Sequence, residues 1–140
     1  MSEARTLQEQ NIRHWNAHDP DAWAGDFSSD ATVVGPGAAG SGTEMVKTFY
    51  SIWQDAFPDN EVRVIDIFED GGTAILRAEF QGTHTQTMHA PDQTIPATGR
   101  RVNIPFVTVD RIVEGKITEF ALYFDRAELL GQLGLLPAPA

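Results

Sequence analysis

The chain has no cysteine among its 140 residues. That excludes disulfides and thiolate metal sites, and it fits a reducing compartment. It also lacks an apolar run near the roughly 20 residues that a membrane-spanning helix needs. The opening MSEARTLQEQ is polar and carries no apolar signal core, so a cytoplasmic protein is expected. Basic residues are scarce: ten Lys and Arg stand against twenty Asp and Glu, a formal charge of −10. Such a surface repels phosphate backbones and anionic headgroups, which excludes nucleic acid and membrane partners. There is no G-x-G-x-x-G, no P-loop and no G-x-S-x-G. The glycine-rich stretch from Gly35 to Gly40 has no lysine at P-loop spacing and reads as a loop. No repeat or low-complexity linker divides the chain, and the last residues, rich in Pro and Ala, form a short tail. Residues 1–140 are expected to form one domain, large enough to bury roughly two thirds of the unfolded surface.

What is present reads as helices first and strands later. Leu7, Ile12 and Trp15 fall near one face of a helix from Glu3 to His18. Pro20 suits the first position of a second helix running to Phe27. Ala31–Val34 is a short strand. Ser41 or Thr43 can cap a third helix, from Glu44 to about Ala56, with Val46, Phe49, Tyr50 and Trp53 as its apolar stripe. Val62–Phe68 and Thr73–Thr83 are strands around an Asp70-Gly71-Gly72 turn. The polar stretch His84–Gly99 is too long for a simple hairpin and is expected to border a pocket mouth. Two apolar runs, Val102–Val113 and Ile117–Phe124, flank Glu114-Gly115-Lys116, a hairpin signal. A last helix runs from about Arg126 to Leu133 and stops at Gly134. This order makes an α+β domain.

Asp125 ends the last strand and opens the last helix. Asp125-Arg126-Ala127-Glu128 has the spacing of a capping box, yet an acid at a sheet rim can also face a cavity. If it does, Tyr123, Ala121 and Glu119 share its face. A two-residue hairpin loop then turns Phe106, Thr108 and Asp110 inward, and a three-residue loop turns Val107, Val109 and Arg111 inward. The second is favoured because it keeps Asp110 away from Glu119 and brings Arg111 near it. Phe120, Leu122 and Phe124 then lie outside, where three large apolar residues predict a homodimer through the outer face of the sheet. His14 and His18 have i, i+4 spacing but no acidic or thiol partner at zinc-site spacing, so no metal is expected.

With these residues in view, the chain resembles the nuclear-transport-factor-2-like (NTF2-like) superfamily, and within it the SnoaL-like group of polyketide and ester cyclases. The matching pieces are WNAHDPDAWAGDFSSDATV, WQDAFPD, GTH, ATGRRV and GKITEFALYFDRAELLGQLGLLP, in that order along the chain. The resemblance implies a cone: N-terminal helices packed in a strongly curved antiparallel sheet, closed by a C-terminal helix. It implies secondary metabolism without a cofactor, with Asp125 as the acid/base and His84 holding a substrate enolate. Many relatives carry a polar or aromatic pair, often His-Trp, just after the acid of the last strand, where this chain has Phe120-Ala121 after Glu119.

The reading that follows is a cofactor-independent enzyme. Asp125 takes a proton next to a carbonyl, His84 and Tyr123 donate to the enolate oxygen, and the enolate closes a ring by intramolecular aldol attack. Trp15, Phe49 and Trp53 form pocket walls for an apolar or aromatic polyketide-like ligand, and Arg111 is a substrate contact or an ion-pair partner. The alternatives are a non-catalytic protein that binds a small ligand or only dimerises, and an isomerase or epoxide hydrolase on the same scaffold. A solvent-facing Asp125 bonded only to helix N–H groups would favour the non-catalytic alternative.

Overall fold

The computed structural model describes residues 3–136; the expected C-terminal tail lies outside them. Helix α1 spans Glu3–Asn16 and α2 Pro20–Gly25. Strands β1 (Phe27–Gly35) and β2 (Ala38–Ser41) precede α3 (Thr43–Ala56). Then come β3 (Glu61–Asp70), β4 (Thr73–Thr83), β5 (Met88–Ala90), β6 (Gln93–Ile95), β7 (Arg101–Val113), β8 (Lys116–Phe124) and α4 (Arg126–Gln132). Six strands form one curved sheet in the order β2-β1-β8-β7-β4-β3, while β5 and β6 form a separate hairpin. All its pairs are antiparallel except β1 with β8, which is parallel and corrects the expectation of a wholly antiparallel sheet.

Local chemistry accounts for the elements. Asp19 caps α2 by accepting from Ala22 N at 3.1 Å, with Pro20 in the first turn. Gly42, not Ser41 or Thr43, is the N-cap of α3; its φ of 93° is one that glycine adopts without strain. One face of α1 buries Ala4, Leu7, Ile12 and Trp15 together with two polar residues, Gln8 and Asn11. Helix α3 buries Val46, Phe49, Tyr50, Ile52 and Ala56. Both helices pack inside the sheet, whose curvature coincides with register shifts in β3 near Ile65, in β8 near Thr118 and in β1 after Phe27. Helix α4 is pinned to β7 by Gln132, which accepts from Asn103 N at 2.7 Å and donates to Asn103 O at 3.0 Å.

The β7–β8 hairpin decides which residues face inward. Glu114 and Gly115 both have positive φ, 50° and 75°, and close a two-residue turn between Val113 and Lys116. An extra residue at Thr118 then shifts the ladder, so that Arg111 pairs with Glu119 and Asp110 with Phe120. The turn is thus the two-residue one and not the favoured three-residue loop; the expected Arg111–Glu119 pairing is kept by the extra residue at Thr118, but the faces are reversed. Phe120, Leu122 and Phe124 point in, with Thr108 and Asp110 of β7, while Tyr123 is 58 % exposed. The reason is packing: the Phe120 ring lies 5.1 Å from Phe49, 5.7 Å from Phe27 and 6.1 Å from Trp23. Burying three large side chains of one strand far outweighs orienting a single carboxylate.

Candidate functional site

A cavity of about 80 Å³ lies between α1, α3 and the inner face of the sheet. Trp15, Trp23, Phe49, Trp53, Phe80, Phe106, Phe120 and Phe124 supply most of its wall. Their rings interlock: Trp15 meets Trp23 edge-on at 5.3 Å, Trp23 stacks on Phe49 at 6.0 Å, and Trp53 meets Phe80 and Phe124 edge-on at 5.4 Å each. Thus Trp15, Phe49 and Trp53, the three expected wall residues, lie on this cavity. Its polar lining is confined to Gln8, Asn11 and Thr108, and no charged side chain touches it among the described residues.

One layer behind Thr108 and Gln8 sits Asp110, fully buried on β7. Its Oδ2 accepts from the Thr108 hydroxyl at 3.4 Å. Burial raises its carboxyl well above the usual range, and the hydrogen bonds of Thr108 and Gln8 oppose that rise without cancelling it. Asp110 Oδ1 and Gln8 Oε1 have no donor among the described residues. A lone acid whose ionised form is disfavoured by burial can hold a proton and pass it on.

A second carboxylate borders the same end. Asp26, also buried, accepts from Gln10 Nε2 at 2.7 Å and Asn11 Nδ2 at 3.0 Å, and lies 2.8 Å from His14 Nδ1. Three side chains of α1 therefore converge on the residue that follows α2. His18 turns instead to Gln54 Oε1 at 2.8 Å. No group of three or more His, Asp and Glu residues among those described could hold a metal ion.

The remaining sequence candidates lie elsewhere. Asp125 is exposed and caps α4, its Oδ1 accepting from Ala127 N at 2.9 Å and Glu128 N at 3.2 Å. Since Phe124 faces in, alternation carries Asp125 out. Tyr123 and Arg111 share the outer face, Arg111 paired with Glu119 at 3.0 Å across exposed strands. His84 is fully buried but off the cavity, stacked on Phe57 at 5.1 Å. Its Nδ1 accepts from Thr98 N at 3.3 Å and lies 3.0 Å from Thr98 Oγ1, and burial lowers its pKa. The His84–Gly99 stretch folds back as the β5–β6 hairpin. Met88, Ala90 and Ile95 of that hairpin line a smaller cavity of about 40 Å³, which shares Phe49, Trp53, Leu122 and Phe124 with the first.

Gln8 and Asn11 are the residues that sequence reasoning missed, and Asp110, turned inward only by the two-residue loop that it disfavoured, is the one it set aside. Their signal was present: Gln8 and Asn11 interrupt the apolar stripe of α1, and Asp110 continues the inward alternation Val102, Ile104, Phe106, Thr108 of β7.

The profile of the SnoaL-like polyketide cyclase family matches residues 5–133. No curated protein matches the chain. Among solved structures, a protein of Jannaschia sp. CCS1, provisionally named a SnoaL-like polyketide cyclase, is 20 % identical with a TM-score of 0.84, over 97 % of this chain and 94 % of that one. AclR of Streptomyces galilaeus, provisionally named a hydroxylase, is 27 % identical with a TM-score of 0.81, over 100 % and 90 %. IdmH of Streptomyces antibioticus, provisionally named a polyketide cyclase, is 23 % identical with a TM-score of 0.77, over 94 % and 98 %.

Proposed function

The chain belongs to the SnoaL-like polyketide cyclase family, and from that premise we propose that it is a cofactor-independent acid/base enzyme acting on a polyketide-like substrate in the aromatic cavity. The observation that carries this reading is Asp110: a carboxyl buried behind an apolar pocket, with its ionised form disfavoured and one oxygen unpartnered. Asp110 replaces Asp125 as the acid, because Asp125 is committed to capping α4 at the surface. The proton passes at Thr108, whose hydroxyl lines the cavity and donates to Asp110. Removing a proton from a carbon next to a carbonyl leaves an enolate. Its carbon attacks a second carbonyl of the same chain, one C–C bond forms, and the new alkoxide takes the proton back from Asp110. Atoms balance with no co-reactant. The walls at Trp15, Phe49 and Trp53 fold the flexible chain so that the two carbons meet.

The test uses a generic carbon acid, the aryl ketone 2-acetonaphthone, in D₂O. Deuterium should enter its methyl group with the native protein, slow strongly with Asp110→Asn, and slow with Thr108→Val. Background exchange with all three proteins would overturn the reading. The specific observation for a non-catalytic ligand-binding role is that Asp110 itself is not on the cavity wall. In that case the ketone binds but does not exchange. Isomerisation on the same scaffold uses the same proton transfers and predicts the same exchange.

A homodimer and a cytoplasmic setting are part of the proposal. The original argument for the dimer fails, since Phe120, Leu122 and Phe124 face inward. Another supports it: Val34, Ala121, Val109, Ile75 and Phe68 pair in turn across five strands and form one apolar row on the outer face. Light scattering should give twice the 15.4 kDa chain mass, and Val109→Lys should return the mass of one chain.

A further inference from the structure

Behind the cavity wall, Trp15 belongs to a closed ring of buried hydrogen bonds. Its indole N–H donates to Asn60 Oδ1 at 2.7 Å, Asn60 Nδ2 donates to Gln54 Oε1 at 2.8 Å, and Gln54 Nε2 donates back to the Trp15 carbonyl at 3.2 Å. The ring fixes both amides, because an indole nitrogen can only donate and each bond then sets the sense of the next. Asn60 Nδ2 spends its second proton on Phe57 O at 2.8 Å, and His18 Nδ1 donates to Gln54 Oε1 at 2.8 Å. His18 has a positive φ of 56°, which a non-glycine residue keeps only where its surroundings impose it, and the bond to Gln54 is one such restraint. Asn60 and Gln54 are buried, yet neither lines the cavity, whereas Trp15 does. An apolar ring at position 15 would need no acceptor at all. What the bonds add is orientation. The Trp15 ring stands edge-on to Trp23 at 5.3 Å and to Tyr50 at 5.2 Å, and its one proton donor is spent on Asn60 instead of being offered to the cavity.

We propose that Asn60 is a positioning residue of the ligand site, with Gln54 as its support: together they hold the Trp15 indole at one angle in the cavity wall and keep its N–H turned out of the cavity. Neither touches a ligand; both act through Trp15. Without Asn60 Oδ1 the indole N–H is a buried donor with no acceptor, a costly state. The side chain relieves that cost by turning its N–H toward the open space of the cavity, and the room for a ligand shrinks as it does so. A ring without a donor has no such reason to turn. The inference rests on the reading of this cavity as the ligand site, and it adds two residues that stand outside the cavity lining.

Binding is measured by quenching of tryptophan fluorescence with 2-methoxynaphthalene as the probe; Trp23 and Trp53 line the same cavity and still report when Trp15 is replaced. Asn60→Leu should weaken probe binding roughly tenfold, the scale of one buried hydrogen bond. The deciding comparison is made in Trp15→Phe. There Asn60→Leu should leave the affinity where Trp15→Phe alone sets it, because no indole N–H remains to be oriented. By NMR, the Trp15 indole proton of the native protein should exchange slowly with solvent, with and without the probe, and Asn60→Leu should make that exchange fast. Because Asn60→Leu strands a buried donor and could fail to fold, Gln54→Met is the second variant. It leaves the bonds of Asn60 to Trp15 and to Phe57 in place and should weaken the probe by roughly threefold, the low end of that scale. Native affinity in a folded Asn60→Leu protein, which is the result a merely structural amide would give, would overturn the proposal. So would an equal loss with and without the indole, or native affinity in Gln54→Met. A native protein that does not bind the probe would overturn it together with the cavity as the ligand site. The expected pattern of affinities without deuterium exchange into 2-acetonaphthone would leave this inference standing and sink proton transfer. Exchange with affinities indifferent to the indole would do the reverse.

Discussion

Two buried carboxylates lie near the same cavity, and they are treated in opposite ways. Asp26, at the end of α2, is met by Gln10, Asn11 and His14, all within 3.0 Å. Asp110, in the middle of the sheet, has a 3.4 Å bond from Thr108 and the neighbouring Gln8 amide, and one of its oxygens is unpartnered. Burying a carboxylate is expensive unless donors surround it. Asp26 meets that condition and joins α1 to the start of the sheet. Asp110 does not, and a side chain kept at such a cost is better explained by chemistry than by stability.

The comparison is sharpened most by exchanging each acid for a neutral group. Asp110→Asn should lower deuterium exchange into the ketone probe by roughly 10²-fold or more, the usual scale for a general base. Its affinity for 2-methoxynaphthalene should change little, because Asp110 does not line the cavity. Asp26→Ala should act on stability instead. It leaves the buried Asn11 without its main acceptor and frees two further donors, so a loss of about 3 kcal/mol is expected in urea unfolding. If Asp110→Asn costs as much stability as Asp26→Ala, the contrast between the two acids collapses.

The pH dependence of stability tests the same contrast with its sign fixed in advance. The folded-state pKa of Asp110 is raised above the unfolded value by burial, and the unfolded value is about 3.9. Between the two, the folded state holds more protons than the unfolded state, so the contribution is complete below about pH 3.9 and is lost as pH rises through the folded pKa. Native protein should therefore lose stability relative to Asp110→Asn as pH rises. Buried His84 acts at the other end: its lowered pKa means that stability falls as pH drops below about 6.5, the unfolded value. The difference between native protein and Asp110→Asn removes that common term. A difference that stays flat from acid to neutral pH would mean that Asp110 ionises as readily folded as unfolded.

Much of the fold was legible because periodicity is a cumulative signal. The stripe Val46, Phe49, Tyr50 and the alternation Ala74, Leu76, Ala78, Phe80 each commit several side chains to one face, and those faces are buried. The separate hairpin and strand β2 were not legible. Met88–Ala90 and Gln93–Ile95 are three residues each, and Ala38–Ser41 is made of small residues with no face to bury. The site was misread at one point, the facing of β8. Fixing Asp125 inward forced Tyr123 in and Phe120 out, whereas the summed burial of Phe120, Leu122 and Phe124 points the strand the other way. A one-residue change of face moves every candidate on the hairpin together. Tyr123 and Arg111 therefore lie outside the pocket, while Thr108 lines it and Asp110 sits buried one layer behind.

The smallest expected effect separates Asp110 from Asp125, the acid that sequence reasoning placed in its role. Asp125 accepts from two backbone N–H groups at the start of α4 and is open to solvent. Asn caps a helix about as well as Asp, so Asp125→Asn should shift stability by only a few tenths of a kcal/mol. Asp125→Ala removes the acceptor and should cost about 1 kcal/mol. Helix α4 is only the seven residues Arg126–Gln132, but Leu129 and the Gln132–Asn103 bonds also hold it, so the loss should stay local. Neither substitution should change exchange into 2-acetonaphthone. An Asp125→Asn variant with normal unfolding but exchange reduced as much as in Asp110→Asn would return the proton to the rim of the sheet and leave Asp110 as a buried acid without a task.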